Sequence, residues 1–114
     1  MEQFDLKKLK FDKDGLIPAV VQDSRSGKDL MVASMNQECI RKTMSTEETH
    51  FWSQSRQAVW HKGETSENKQ RLRRIVVDCD HDVLLLLVDQ KGNACDSGEY
   101  SCFFNLLFEN RLCP

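Results

Sequence analysis

The stretch Asp78-Cys79-Asp80-His81-Asp82 carries the densest chemistry in the chain, with carboxylates at every second position and a thiol between the first two. In an extended strand the three Asp would share one face, and Cys79 and His81 the other. Hard oxygens suit Mg²⁺ and soft sulfur suits Zn²⁺. Geometry attaches a condition. Four residues of strand cover about 13 Å, so Asp78 and Asp82 reach one ion only if the segment curls into a turn. Without a metal, the same residues read as an acidic strand end facing water.

Cys95 and Cys102 lie seven residues apart around Gly98, and a tight loop can bring them together. With Cys79 they make three soft ligands and leave a fourth tetrahedral position for water, the form that catalytic zinc sites take. Water held there ionises near neutral pH and becomes a nucleophile. Cys39 and Cys113 read as small buried hydrophobes. Five cysteines at irregular spacing argue for metal ligands plus bystanders rather than a disulfide framework.

Short strands must position these groups. Residues 16–22 (LIPAVVQ) and 30–35 (LMVASM) read as two apolar strands joined by DSRSGKD, which has the composition of a hairpin turn. Asn36 is a fitting N-cap for one helix through NQECIRKTMS, with Cys39, Ile40 and Thr43/Met44 at helical spacing. THFWSQS, AVWHKG, QRLRRIVVD, VLLLLVD and SCFFNLLF then read as strands, punctuated by Gly63, Gly92 and Gly98. The class is mainly β or α+β, with short antiparallel strands in two packed sheets and one clear helix. VLLLLV is apolar on both faces, so it is a central strand or lies at an interface, and a homodimer is a fair expectation.

At 114 residues without an internal repeat or linker, the chain reads as a single domain over 1–114. Its longest apolar run has six residues, Val83 to Val88, against about 20 for a membrane span, and the N-terminus lacks a signal peptide's apolar core. A cytoplasmic protein is the expectation. A net charge of −2 gives no reason to expect nucleic acid or an anionic membrane as partner. The charge is segregated, however. His50 to Val77 holds six basic against two acidic residues, and Asp78 to Pro114 two against seven. A solvated surface or a phosphate-holding segment beside a cation-holding one would each account for this.

The ordered set of motifs resembles the phosphoribosyl-AMP cyclohydrolase family over about residues 15–104. It runs through Gly15-Leu16-Ile17-Pro18-Ala19-Val20-Val21-Gln22-Asp23, Leu30-Met31-Val32-Ala33 and Met35-Asn36. His50-Phe51-Trp52-Ser53, Ser55-Arg56, Trp60-His61-Lys62-Gly63-Glu64-Thr65-Ser66 and Gln70 follow. The acidic stretch 78–82, Ala94-Cys95 and Ser101-Cys102-Phe103 complete it. The resemblance implies an intertwined homodimer that opens the adenine ring of phosphoribosyl-AMP at the N1–C6 bond, in histidine biosynthesis. It implies zinc on Cys79 of one subunit with Cys95 and Cys102 of the other, and Mg²⁺ on Asp78, Asp80 and Asp82. The substrate's phosphates would fall to Lys62, Gly63, Thr65 and Ser66, whose turn can form an anion nest, and to Arg56, Arg71 and Arg73. Gln70 belongs to the same motif, Trp52 and Trp60 are stacking candidates for the base, and Lys69 reads as solvated.

Three departures from the family pattern surround that site. The family's Ala-Cys-His-Thr-Gly is Ala94-Cys95-Asp96-Ser97-Gly98, its Thr-Ser-Gly is Thr65-Ser66-Glu67, and its Phe-Tyr-Arg is Phe103-Phe104-Asn105. Asp96 can act as a base, but a carboxylate of ordinary pKa near 4 is a weaker one at pH 7 than imidazole. His81 or His61 would be the replacement. The metal ligands are all present, so a paralogue acting on another purine- or pyrimidine-like nucleotide, or a silent nucleotide- and metal-binding module, stands as the alternative.

Overall fold

Alternating burial builds the centre of the molecule. Strand β1 (Ile17–Asp23) turns Ile17, Ala19 and Val21 inward, and β6 (Leu84–Gln90) does the same with Leu84, Leu86 and Val88. The two run parallel, with Ala19 opposite Leu84 and Val21 opposite Leu86. On their outer sides β1 pairs with β2 (Asp29–Met35), and β6 with β5 (Gln70–Val77), both antiparallel. The hairpin of β3 (His50–Ser53) and β4 (Ala58–His61) extends the β2 edge through a register of Ser34 with Trp52. The computed structural model describes residues 4–112 and orders the strands β4-β3-β2-β1-β6-β5.

The result is one mixed sheet where two packed antiparallel sheets were expected. The hairpins β1–β2 and β5–β6 join edge to edge through β1 and β6 instead of facing each other, so their ladder is continuous. The sheet curls to enclose its core. Thr49 N donates to Gln70 O at 3.2 Å and Leu72 N to Glu47 O at 2.7 Å, which ties the start of β3 to the start of β5. Phe51, Leu30 and Met35 lie fully buried inside the curl.

The single helix α1 (Gln37–Thr46) begins where its cap predicts, with Asn36 Oδ1 accepting from Cys39 N at 2.8 Å. It buries Cys39, Ile40 and Thr43 against β2 and β3. Cys39 is the buried hydrophobe expected of it; Cys113 lies outside the described residues. No helix among the described residues is long and apolar enough to cross a membrane.

Two surfaces stay unpartnered in the protomer. On the sheet's outer face Val20, Val32, Val76 and Leu85 stand side by side by register, with Val32 54% exposed. Segment 101–108, expected as a strand, forms no ladder in the protomer and stays irregular, leaving Phe104, Leu106, Leu107 and Phe108 in solvent. β6 is paired on both edges, by β1 and β5, and only its inner residues are fully buried.

Candidate active site

The β5–β6 connection supplies the curl that the acidic stretch needs. Asp78 Oδ1 accepts from Asp82 N at 2.9 Å and Val83 N at 3.1 Å, while His81 N donates to Asp78 O. His81 adopts a left-handed backbone, φ 66°, that reverses the chain. Its carbonyl accepts from Lys10 N and its ring meets the edge of Phe4 at 4.7 Å. One carboxylate oxygen from each of Asp78, Asp80 and Asp82 then lies within 4.8 Å of the others. Burial raises the Asp78 carboxyl, but the N–H groups of Val83 and Asp82 outweigh it and hold it below the usual carboxylate range. Asp82 is pushed up by its hydrogen bond with Asp78 and by the charges of Asp78 and Asp80. Crowded hard oxygens with unneutralised charge are a donor set that fits Mg²⁺.

The thiols sit at the other end of the sheet. Cys102 N donates to Leu30 O at 2.7 Å and Ser101 Oγ to Asp29 O at 2.6 Å, which pins the loop to the start of β2. Gly98 N to Cys95 O closes a turn that brings Cys95 beside Cys102. Ser97 Oγ donates to Cys95 Sγ at 3.0 Å and holds that thiol below its ordinary pKa, whereas burial and the Cys95 neighbour push Cys102 up. Cys79 stands in the acidic turn, a full length of β6 away. Among the described residues the three Asp are the only metal-competent group of three, so one protomer does not assemble Cys79, Cys95 and Cys102.

The remaining site residues divide by exposure. Asp96 is fully exposed, with Lys62 Nζ 3.9 Å from its Oδ1. Arg56, Thr65 and Ser66 are also exposed, on the β3–β4 turn and the loop after β4. Arg71 meets Glu47 at 3.3 Å and Arg73 meets Asp89 at 2.6 Å, so both guanidinium groups are already paired at the surface. Trp60 packs on Phe51, and Trp52 lines a cavity of about 430 Å³ with Asp14, Leu16, Asn36, Gln54 and Gln57. Two expected substrate contacts are turned inward instead. Gln70 is fully buried, accepting from Thr49 and donating to Gln90 and Met31, because it closes the polar seam where the sheet curls shut. Lys62 is 5% exposed, and its ammonium donates to Ala94 O.

The sequence named His61 as a candidate imidazole but not the cluster that holds it. His61 Nε2 meets Glu48 Oε1 at 2.6 Å, and its ring stacks at 4.5 Å on His50, whose Nδ1–H donates to Glu48 O. The cross-strand register of His50 with His61 was the available signal; Glu48 left none. Burial holds His50 below the usual histidine pKa, opposed by the Glu48 carbonyl and reinforced by His61 and Lys42. A histidine depressed in the fold contributes its stabilisation in full above the unfolded pKa of about 6.5 and loses it as pH falls from there through the folded pKa. Acidification from about pH 7.5 to 5.5 should therefore lower the native Tm more steeply than that of His50→Gln. Parallel Tm curves for the two proteins would remove His50 from the acid response.

Comparison with known proteins adds sequence kinship. The family profile described as phosphoribosyl-AMP cyclohydrolase matches residues 31–104. The chain is 56% identical over 100 residues to the phosphoribosyl-AMP cyclohydrolase of Pelotomaculum thermopropionicum, covering 88% of this chain and 78% of the relative. It is 52% identical to that of Archaeoglobus fulgidus, covering 87% and 92%. A histidine biosynthesis bifunctional protein of Bacillus subtilis is 55% identical over 90% of this chain, which spans 48% of that relative's length.

Proposed function

The chain belongs to the phosphoribosyl-AMP cyclohydrolase family, and we propose that it hydrolyses the N1–C6 bond of phosphoribosyl-AMP in histidine biosynthesis as a zinc-dependent homodimer. The observation that carries the reading is the separation of its thiols. Cys95 and Cys102 are adjacent at one end of the sheet, and Cys79 is at the other, beyond the seven residues of β6. That strand spans about 20 Å, whereas zinc–sulfur bonds of about 2.3 Å need the ligands together. A twofold axis between two outer sheet faces, perpendicular to the strands, would bring each acidic end against the partner's thiol end. The apolar outer face around Val20, Val32, Val76 and Leu85 supports such a contact.

Zinc on Cys79, Cys95 and the neighbouring Cys102 would supply a Lewis acid that makes water nucleophilic near neutral pH. Asp78, Asp80 and Asp82 would hold Mg²⁺ and so offset the substrate's phosphate charge. Asp96, exposed beside Cys95, accepts the proton of the attacking water or returns it to N1. His61, oriented by Glu48, is the imidazole at the thiol end of the fold. Arg56 and the hydroxyls of Thr65 and Ser66 remain open for a phosphate.

Ultraviolet-monitored turnover of phosphoribosyl-AMP by the zinc-loaded protein tests this. The native chain should turn over, and Asp96→His should raise kcat by about tenfold or more, since imidazole is the better base at neutral pH. An inert native chain whose Asp96→His variant is active would reject the substrate assignment and favour the paralogue acting on another nucleotide.

A further inference from the structure

We propose that Lys62 is a positioning residue for the thiol pair, its buried ammonium aligning the peptide that carries Cys95 and balancing the charge of the metal-bound sulfurs. This inference rests on the zinc reading above. Lysine is almost never fully buried unless paired, because its charge loses hydration. Lys62 is nonetheless 5% exposed, at the end of β4, with its own N–H fixed to Thr49 O at 3.1 Å. Gly63 follows at φ 81°, a tight reversal that leaves the lysine stem directed inward.

The ammonium's surroundings all belong to the thiol loop or support it. Its Nζ donates to Ala94 O, lies 5.7 Å over the Trp60 ring, and stands 3.9 Å from Asp96 Oδ1. The Ala94 carbonyl and the Cys95 N–H share one peptide plane. That plane is held on its other side by Cys95 N donating to Glu99 O at 3.1 Å, while Ala94 N donates to Tyr100 O at 3.0 Å. Lys62 thus completes the anchoring that sets the direction of Cys95. Three thiolates around Zn²⁺ carry a net negative charge, which a buried cation offsets.

A phosphate ligand would use Lys62 differently, and the two roles separate experimentally. Zinc affinity, by competition with a chromogenic chelator, is measured on the native dimer, Lys62→Met and Lys62→Arg, and the Tm and dimer mass of the metal-free proteins report on the fold. The thiolate charge-transfer band of the cobalt-loaded proteins is recorded alongside. Lys62→Met should bind zinc at least about tenfold more weakly, with a shifted cobalt band and a native dimer mass, and Lys62→Arg should recover most of the loss. Native zinc affinity in Lys62→Met, or loss of the dimer in step with the loss of zinc, overturns the proposal. Where Lys62→Met does not fold, Lys62→Gln keeps a donor for Ala94 without the charge and is judged by the same measurements. A native dimer that takes up no zinc overturns the zinc reading itself, and this inference with it.

Discussion

Mixing Cys79→Ala protein with Cys95→Ala protein restores hydrolysis that neither has alone, to about a quarter of native activity. The expectation follows from the two ends of the sheet. In the mixed dimer one site combines both damaged ligands, and the other combines intact Cys79 with intact Cys95 and Cys102. Random reassortment makes about half of the dimers mixed, each with one working site of two. Separately, each variant should lose about a thousandfold or more in kcat, because two soft ligands do not hold a catalytic zinc. Unfolding and refolding the two together, then assaying turnover and zinc content, is the measurement. If the mixture stays as inactive as its components, the zinc ligands do not come from two chains.

The second large effect is on stability. Gly63→Ala should cost about 3 kcal/mol or more and lower Tm by about 10 °C. A Cβ at Gly63 would stand 2.6 Å from Asn68 C and Lys69 N, and those backbone atoms have no rotamer to escape into. The loop from Lys62 to Lys69 would have to open. That displaces Lys69, whose carbonyl accepts from Lys91 N, and beside it the buried Gln70 seam. Gly27→Ala is the control: its φ of 76° is equally left-handed, but a Cβ meets nothing within 4 Å. The control should lose only about 1 kcal/mol of backbone strain. Equal Tm shifts in the two variants would show that the close approach at Gly63 carries no energy.

Local pattern made much of this molecule legible. The alternation in Ile17–Asp23, the hairpin composition of 23–29 and the Asn36 cap each depend on residues within one turn or strand, and each is found in the fold. The acidic stretch was legible as a condition. Its residue types announced a cation, the span of a strand demanded a curl, and the hydrogen bonds to Asp78 supply it. Residue types also nominated three thiols, and Cys95 and Cys102 do meet.

Long-range contacts decided the rest. Period-two alternation tells which face a strand buries but not which strand lies beside it, so the parallel pairing of β1 with β6 merged two expected sheets into one. The strand between Cys79 and Cys95 separates them by the length of β6, while it took the fold to pin Cys102 beside Cys95 through its bond to Leu30. Closure of the sheet at Thr49 and Gln70, and the contact with Ala94, turned Gln70 and Lys62 inward, although as residue types both read as surface groups. By itself the sequence determined the chemical types of the ligands and the local elements that carry them, because both are properties of neighbouring residues. Only the tertiary structure decided which ligands share a protomer and which side chains are buried, because those follow from strand order and sheet closure between residues far apart in the chain.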